Sequence, residues 1–422
     1  MYRLFLLLMT PAILLFILLR SKSNTAYRLR LKERFGFLNK QYKQHGIVVH
    51  AASVGEVLAL KSFVEQLLIK YPDTPITFTT FTPTGSEQVT KLFGPRVQHC
   101  YLPLDIFFAT QLFLKKLKPQ TIIFMETELW PNLVAQASSQ NIKLLLINGR
   151  ISSSSINSYK RLKWLIAPCL QRFDKILSQS EDNQDNLMLL GALPDHCIVS
   201  GNLKYDMLIS SEITQKKAEL SCFIPQDKML WVMASTHQGD EEIVFDAFNK
   251  IKNDHPNIIL TVVPRHPERF DQVITLAKRK GFNTCVRSKK DLLTEKSDVW
   301  VIDTLGELIA LYGLAEIVTI GGSFSGIGGH NPLEPAWFKK PIIVGPNMAN
   351  FSDIMQQMLK NNALVQLDRN TQYCDQLSLA VSDLLHTPHK ATVLGGNANQ
   401  VVLQNKGAVA RTLTELAKYI HV

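Results

Sequence analysis

Short apolar runs alternate along the chain with stretches in which apolar residues recur at helical spacing. The strand-like runs of the first half are Ile47–His50, Ile76–Thr79, Thr121–Met125, Lys143–Ile147 and Lys175–Leu177. Between them the helical pattern covers Val57–Lys70, Phe107–Lys118 and Ile156–Arg172. The second half repeats the theme with strands Met229–Ala234, Ile258–Val263 and Val299–Ile302, and helices Asp240–Ile251 and Glu268–Lys280. Continuous apolar runs mark strands buried on both faces, and their alternation with helices predicts parallel, doubly wound α/β sheets. Ser210–Lys228 is polar with mixed charge and reads as a linker, and Val401–Ile420 as one long terminal helix.

Residues 317–346 concentrate the most information. An apolar strand (Ile317, Val318, Ile320) opens into a loop holding Gly321, Gly322, Gly326, Gly328 and Gly329. A helix is expected next, with Asn331 as N-cap and Pro332 in its first position, followed by the strand Ile342–Val344. Glycines let backbone N–H groups approach a phosphate, and ligands sit beyond the carboxyl ends of such strands. Asn331-x-x-Glu334 is also a capping-box pattern, which needs no ligand.

The N-terminus breaks the alternation. Leu4–Leu19 is nearly all apolar between Arg3 and Arg20, about 24 Å as a helix, near the lower limit for a bilayer core. Lys22, Arg28, Arg30, Lys32 and Arg34 follow, opposed only by Glu33. No small-x-small cleavage site follows, so an uncleaved anchor, spanning or interfacial, is favoured over a signal peptide. The basic flank keeps the body of the protein cytoplasmic and suits anionic lipid heads. The expected division is an anchor over 1–22, α/β domains over 23–210 and 211–400, and a helix over 401–422 packing across both.

Length and composition fit this plan: 422 residues, 46% hydrophobic and 19% charged, describe two domains with full cores. Six cysteines without a CxxC pair support neither a zinc ribbon nor a disulfide framework. The net charge of +10 favours anionic partners. No nucleic-acid-binding motif accompanies it, so nucleotides and acidic lipids are preferred to nucleic acid.

Candidate chemistry falls at predicted strand ends. In HAASVGE (His50–Glu56), Ser53-x-x-Glu56 is a capping-box pattern; alternatively Glu56 takes a proton from an attacking hydroxyl. In METELWPN (Met125–Asn132), Glu126 and Glu128 share a face. No histidine or D-x-D pattern joins them, so one is expected to support a reacting group rather than hold a metal. NGR (Asn148–Arg150) and GNLKYD (Gly201–Asp206) supply the cations Arg150 and Lys204. In the second half, the loops starting at Ser235, Pro264 (with Arg265 and His266) and Thr304 (with Leu305, Gly306 and Glu307) join the glycine loop at one sheet edge. Two doubly wound domains facing a cleft define one large class of glycosyltransferases.

HAASVGE, METELWPN, GNLKYD, ASTHQGDEE, VPRHPER and GGHNPLEPA, in this order and spacing, resemble the 3-deoxy-D-manno-oct-2-ulosonic acid (Kdo) transferases of Gram-negative bacteria. The resemblance spans essentially the whole chain. It implies a GT-B fold of two Rossmann-like domains with an N-terminal membrane anchor. It implies transfer of Kdo from CMP-Kdo to a lipid A precursor at the cytoplasmic face of the inner membrane, with no metal and no cofactor. By motif, Glu56 resembles the general base, and Glu126 and Lys204 the transition-state supporters. The CMP contacts resemble Pro264–Arg265, Leu305–Gly306–Glu307 and Asn331–Pro332–Leu333–Glu334, with Leu305 contacting through its backbone. A UDP-sugar transferase or epimerase of the same fold, and a membrane-anchored nucleotide-binding protein without chemistry, are the competing readings.

Overall fold

The computed structural model describes residues 2–23, 27–151, 155–207, 209–369 and 372–420. The chain forms two compact units, Met1–Asp206 with Asn405–Val422, and Met207–Gln404. Each is built on a seven-stranded, wholly parallel sheet.

In the first unit the strands are β1 (Ile47–His50), β2 (Ile76–Thr80), β3 (Gln98–Tyr101), β4 (Thr121–Met125), β5 (Lys143–Gly149), β6 (Lys175–Ser178) and β7 (Cys197–Val199). Their order is β3-β2-β1-β4-β5-β6-β7, so the winding reverses between β1 and β4. These two strands pair in register from Ile47 opposite Thr121 to His50 opposite Phe124. Both are fully buried, as strands covered by helices on both faces must be. One face of the sheet packs Phe113, Phe124 and Phe173, the other Phe63, Phe78 and Phe93.

The second unit contains β8 (Met229–Thr236), β9 (Ile258–Pro264), β10 (Thr284–Val286), β11 (Val299–Val301), β12 (Ala315–Ile320), β13 (Ile342–Val344) and β14 (Val365–Gln366). Their order is β10-β11-β9-β8-β12-β13-β14, with the reversal between β8 and β12. In both units the pair at the reversal carries two of the loops of interest, at the point where the connections leave toward opposite faces and open a crevice at the carboxyl edge.

Several expectations are corrected. Ser210–Lys228 is not a simple linker: Ser211–Ser221 is a helix whose N-cap Ser210 accepts from the Ile213 N–H. The single terminal helix is two, Pro388–Asn405 and Ala408–Leu416. They break at Gly407, whose φ of 96° turns the chain while Asp206 accepts from the Gly407 and Val409 N–H groups. Ala408, Val409, Leu413 and Leu416 then pack into the core of the first unit.

At the N-terminus Tyr2–Ser23 is helical, with Leu4, Phe5, Leu7 and Leu8 more than half exposed. Among the described residues no helix is long and apolar enough to cross a membrane. The basic flank is also partly consumed by the fold. Arg30 forms a two-pronged ion pair with Glu33 at 2.8 Å. Arg34 is buried, donates to the Phe81 carbonyl and lies over the Phe81 and Tyr101 rings. Arg28 and Lys32 remain exposed, and the side chains of Arg20 and Lys22 lie outside the described residues.

Candidate active site

In the first unit, HAASVGE leaves β1 and METELWPN leaves β4, so the two motifs flank the reversal. Ser53 caps the helix Val54–Ala59 by accepting from the Glu56 N–H. The Glu56 carboxylate accepts from the Ala52 N–H at 2.9 Å and from the Ser53 hydroxyl at 2.8 Å. The local capping arrangement is therefore present, with Ala52 supplying the reciprocal N–H. It does not neutralise the carboxyl group. Burial pushes the Glu56 pKa up to about 7, the charges of Glu128 and Glu126 push the same way, and the two hydrogen bonds oppose them. Burial, reinforced by the two neighbouring carboxylates, thus leaves Glu56 able to exchange a proton near neutrality.

Glu126, the residue after β4, has a left-handed backbone, φ 58°, and Asn148 near the end of the neighbouring β5 is also left-handed, φ 54°. Non-glycine residues rarely hold this conformation, and it concentrates where function demands a particular side-chain direction. Glu126 forms an ion pair with Lys204 at 3.2 Å. Lys204 is fixed through its backbone: its N–H bonds the Asn202 side chain, Asn202 donates to Gln179, and Gln179 donates to the Asn148 carbonyl. The Asn148 side chain in turn accepts from the Leu203 N–H. NGR and GNLKYD, far apart in sequence, are thereby one hydrogen-bonded network. Glu128 points elsewhere, accepting from the Trp130 ring N–H at 3.0 Å with His50 Nε2 at 3.4 Å. Arg150 is tied into the same region through its carbonyl, which accepts from the Thr127 hydroxyl.

In the second unit the four loops of interest follow β11, β9, β8 and β12, which are consecutive neighbours in the sheet. Arg265 follows Pro264 at the end of β9; its N–H donates to the Thr236 carbonyl and its side chain is exposed. Its charge acts on Glu334 and on His330. Glu334 carries a pKa pushed up to about 6 by burial, which the Asn331 hydrogen bond and Arg265 oppose.

The glycine loop differs from its sequence expectation. Gly321 donates to the Ala234 carbonyl, Gly322 to the Asp240 carboxylate and Gly329 to the Gly322 carbonyl, so these N–H groups already have acceptors. The glycines serve close approach: a Cβ on Gly321 would lie 2.5 Å from the Ser235 carbonyl oxygen, and Gly322 has φ 68°. The helix that follows is only Leu333–Trp337, too short to contribute much dipole. The N-cap is Pro332 rather than Asn331, and the helix starts one residue later than expected; Asn331, just before it, accepts from the Leu333 N–H and donates to Glu334. Pro332 and Leu333 are buried behind this turn.

Glu307 is also committed. Arg287 grips its carboxylate through Nε and Nη2 at 2.9–3.2 Å, and Arg287 also pairs with Glu219 at 2.7 Å. At this turn Leu305 is exposed and Gly306 has φ 86°.

One cluster was not legible as such. His237 and His330 face each other through their Nε2 atoms at 2.8 Å with stacked rings, and the His266 ring meets His237 edge-on. One Nε2 must donate and the other accept, so the two rings cannot both be protonated on the facing nitrogen. Burial, with Arg265 and the other two rings, holds the His330 pKa down to about 4. These rings come from three loops, and only the sheet order brings them together. Among the described residues no group of histidines, cysteines or carboxylates is arranged to hold a metal ion.

The sequence model of the family described as 3-deoxy-D-manno-octulosonic-acid transferase matches residues 29–207. A 3-deoxy-D-manno-octulosonic acid transferase of Haemophilus influenzae is 38% identical over 421 residues, covering 99% of this chain and 98% of that protein. The chain belongs to the Kdo transferase family. A Kdo transferase of Rickettsia typhi is 31% identical over 391 residues, covering 91% of this chain and 80% of that protein. Among solved structures, a UDP-GlcNAc 2-epimerase from Neisseria meningitidis superposes with a TM-score of 0.60 at 15% identity, over 88% of this chain and 100% of that one. That likeness is one of fold. As a Kdo transferase the chain is a glycosyltransferase, in which the Glu307 carboxylate and the Gly321, Gly322 and Gly329 N–H groups are already bonded within the fold.

Proposed function

We propose that this chain is an inverting GT-B enzyme that transfers Kdo from CMP-Kdo to a primary hydroxyl of a lipid A precursor. One α/β unit holds the donor and the other presents the acceptor and the base. The work takes place at the cytoplasmic face of the inner membrane, with the N-terminal helix lying in the interface. The observation that carries the reading is a carboxyl group, Glu56, tuned to about 7 beside the Glu126–Lys204 pair. Glu56 takes the proton as the hydroxyl oxygen bonds to the anomeric carbon of Kdo. The bond from that carbon to the CMP phosphate oxygen breaks on the opposite side, and CMP leaves with the electron pair. Charge shifts onto the departing phosphate, and Lys204 or Arg265 stabilises it there. Asn331 and Glu334 offer polar contacts to the ribose, and the backbone at Leu305–Gly306 to the base.

Two outcomes test this. Arg265→Ala is expected to weaken CMP binding by about 10–150-fold, the loss of a charge-assisted hydrogen bond. Calorimetry showing unchanged CMP affinity would remove Arg265 from the donor site. Product formation, read by mass spectrometry with CMP-Kdo and tetra-acylated precursor, is expected to rise with pH along a single-proton limb centred near 7, because the base works only once Glu56 is deprotonated. In Glu56→Gln that limb should vanish. A wild-type profile flat from about pH 5.5 to 8.5 contradicts the assignment.

A further inference from the structure

A groove of about 860 Å³ runs between the N-terminal helix and the helix Lys163–Leu170. Tyr2, Leu4, Phe5 and Leu8 line it from the N-terminal helix, and Leu162, Trp164 and Leu165 from the other side. The walls are uncovered: Leu8 is 71% and Trp164 61% exposed. A contiguous apolar surface of this kind marks a binding site.

Three observations identify the occupant. First, the lining is almost wholly apolar, and the Tyr2 hydroxyl is taken up by Asp105 at 2.8 Å, so a hydrocarbon segment is what it suits. Second, Lys160, Arg161 and Lys163 are exposed beside Leu162 and Trp164, and neither Tyr2–Ser23 nor Ile156–Leu170 contains an aspartate or glutamate. The ligand is therefore an anionic amphiphile. Third, the groove is tied to the acceptor-side loops. The Asp105 carboxylate that holds Tyr2 also accepts from the Asn132 and Leu133 N–H groups, and Arg3 donates to the Asn132 side chain. Asn132 ends METELWPN, the motif that carries Glu126 and Glu128. A bilayer lipid has no need of that connection, whereas a lipid whose sugar is reacting at Glu56 does.

We infer that the groove receives a fatty acyl chain of the acceptor, with Lys160, Arg161 and Lys163 facing its phosphate. The inference rests on the proposed lipid acceptor and adds the place where its hydrocarbon is read. Because the groove is open, a chain can slide in from the membrane without leaving an apolar environment, and each buried methylene favours the acylated substrate.

The test compares Leu8→Ala/Trp164→Ala with wild type, full length, in detergent micelles, using tetra-acylated precursor and the same disaccharide bisphosphate stripped of its acyl chains. The double variant is expected to raise KM for the acylated acceptor roughly tenfold or more while leaving kcat/KM for the stripped acceptor within about twofold. Equal losses on both acceptors, or no loss on either, overturn the inference. So does a variant whose only defect is weaker co-sedimentation with phosphatidylglycerol vesicles, since the groove then serves the bilayer. Wild-type protein that transfers nothing to either acceptor overturns the proposed function, and this inference with it, so the two failures are distinguishable.

Discussion

Glu56→Gln is expected to lower kcat by about 10²–10⁴-fold, the usual contribution of a positioned general base, while CMP binding persists. The glutamine keeps the size of the side chain, and its carbonyl oxygen still accepts from the Ala52 N–H, so the cap of the helix Val54–Ala59 survives. A role confined to capping therefore predicts near-normal turnover. Stability gives an independent readout. The carboxyl group titrates near 4.5 when unfolded and about 7 when folded, so the stability contributed by its protonated form is complete below 4.5 and lost as pH rises through 7. Above that, a buried carboxylate near Glu128 and Glu126 is a liability that glutamine lacks. Glu56→Gln should melt close to wild type at about pH 4.5 and a few degrees higher at about pH 8. A folded variant with wild-type turnover would remove Glu56 as the base and make Glu126 the next carboxylate to substitute.

Lys204→Met is expected to cost about 10²–10³-fold in kcat, comparable to removing one preorganised stabilising donor. The side chain keeps its length and loses its charge. Thermal stability should change little: the Glu126–Lys204 pair is about 20% exposed on both sides, and pairs that reach solvent contribute modestly. Lys204→Arg keeps the charge but replaces a point cation with a planar fork, so only partial recovery is expected. Asn202→Ala separates charge from position. It removes the side chain that holds the Lys204 N–H at 3.0 Å and should lower kcat less than Lys204→Met, with the charge still present. Lys204→Met with wild-type kcat would reduce the ion pair to a structural contact.

The internal strands of both sheets are legible in the sequence. β1, β4 and β13 match their apolar runs residue for residue, and so does the helix Asp240–Ile251. Strands covered on both faces must be apolar throughout, so their sequence carries the signal. The four unrecognised strands, β3, β7, β10 and β14, are the four sheet edges. They are only partly buried and hold residues such as Gln98, His99 and Gln366, so no continuous run announces them.

The candidate site divides the same way. Residue type and position at strand ends brought forward Glu56, the Glu126–Glu128 pair, Lys204 and Arg265, and the family resemblance chose Glu126 within the pair and added Glu334. Which of the neighbouring groups remain available was decided only by tertiary structure. Arg287 lies twenty residues from Glu307 in sequence yet grips its carboxylate, Asp240 takes the Gly322 N–H, and Arg34 is buried against Phe81. The network from Asn148 to Lys204, and the facing rings of His237 and His330, join loops that are 55 and 93 residues apart. Local pattern records what one segment prefers; strand order determines which segments meet, and only that meeting assigns each donor its acceptor and each carboxyl group its pKa.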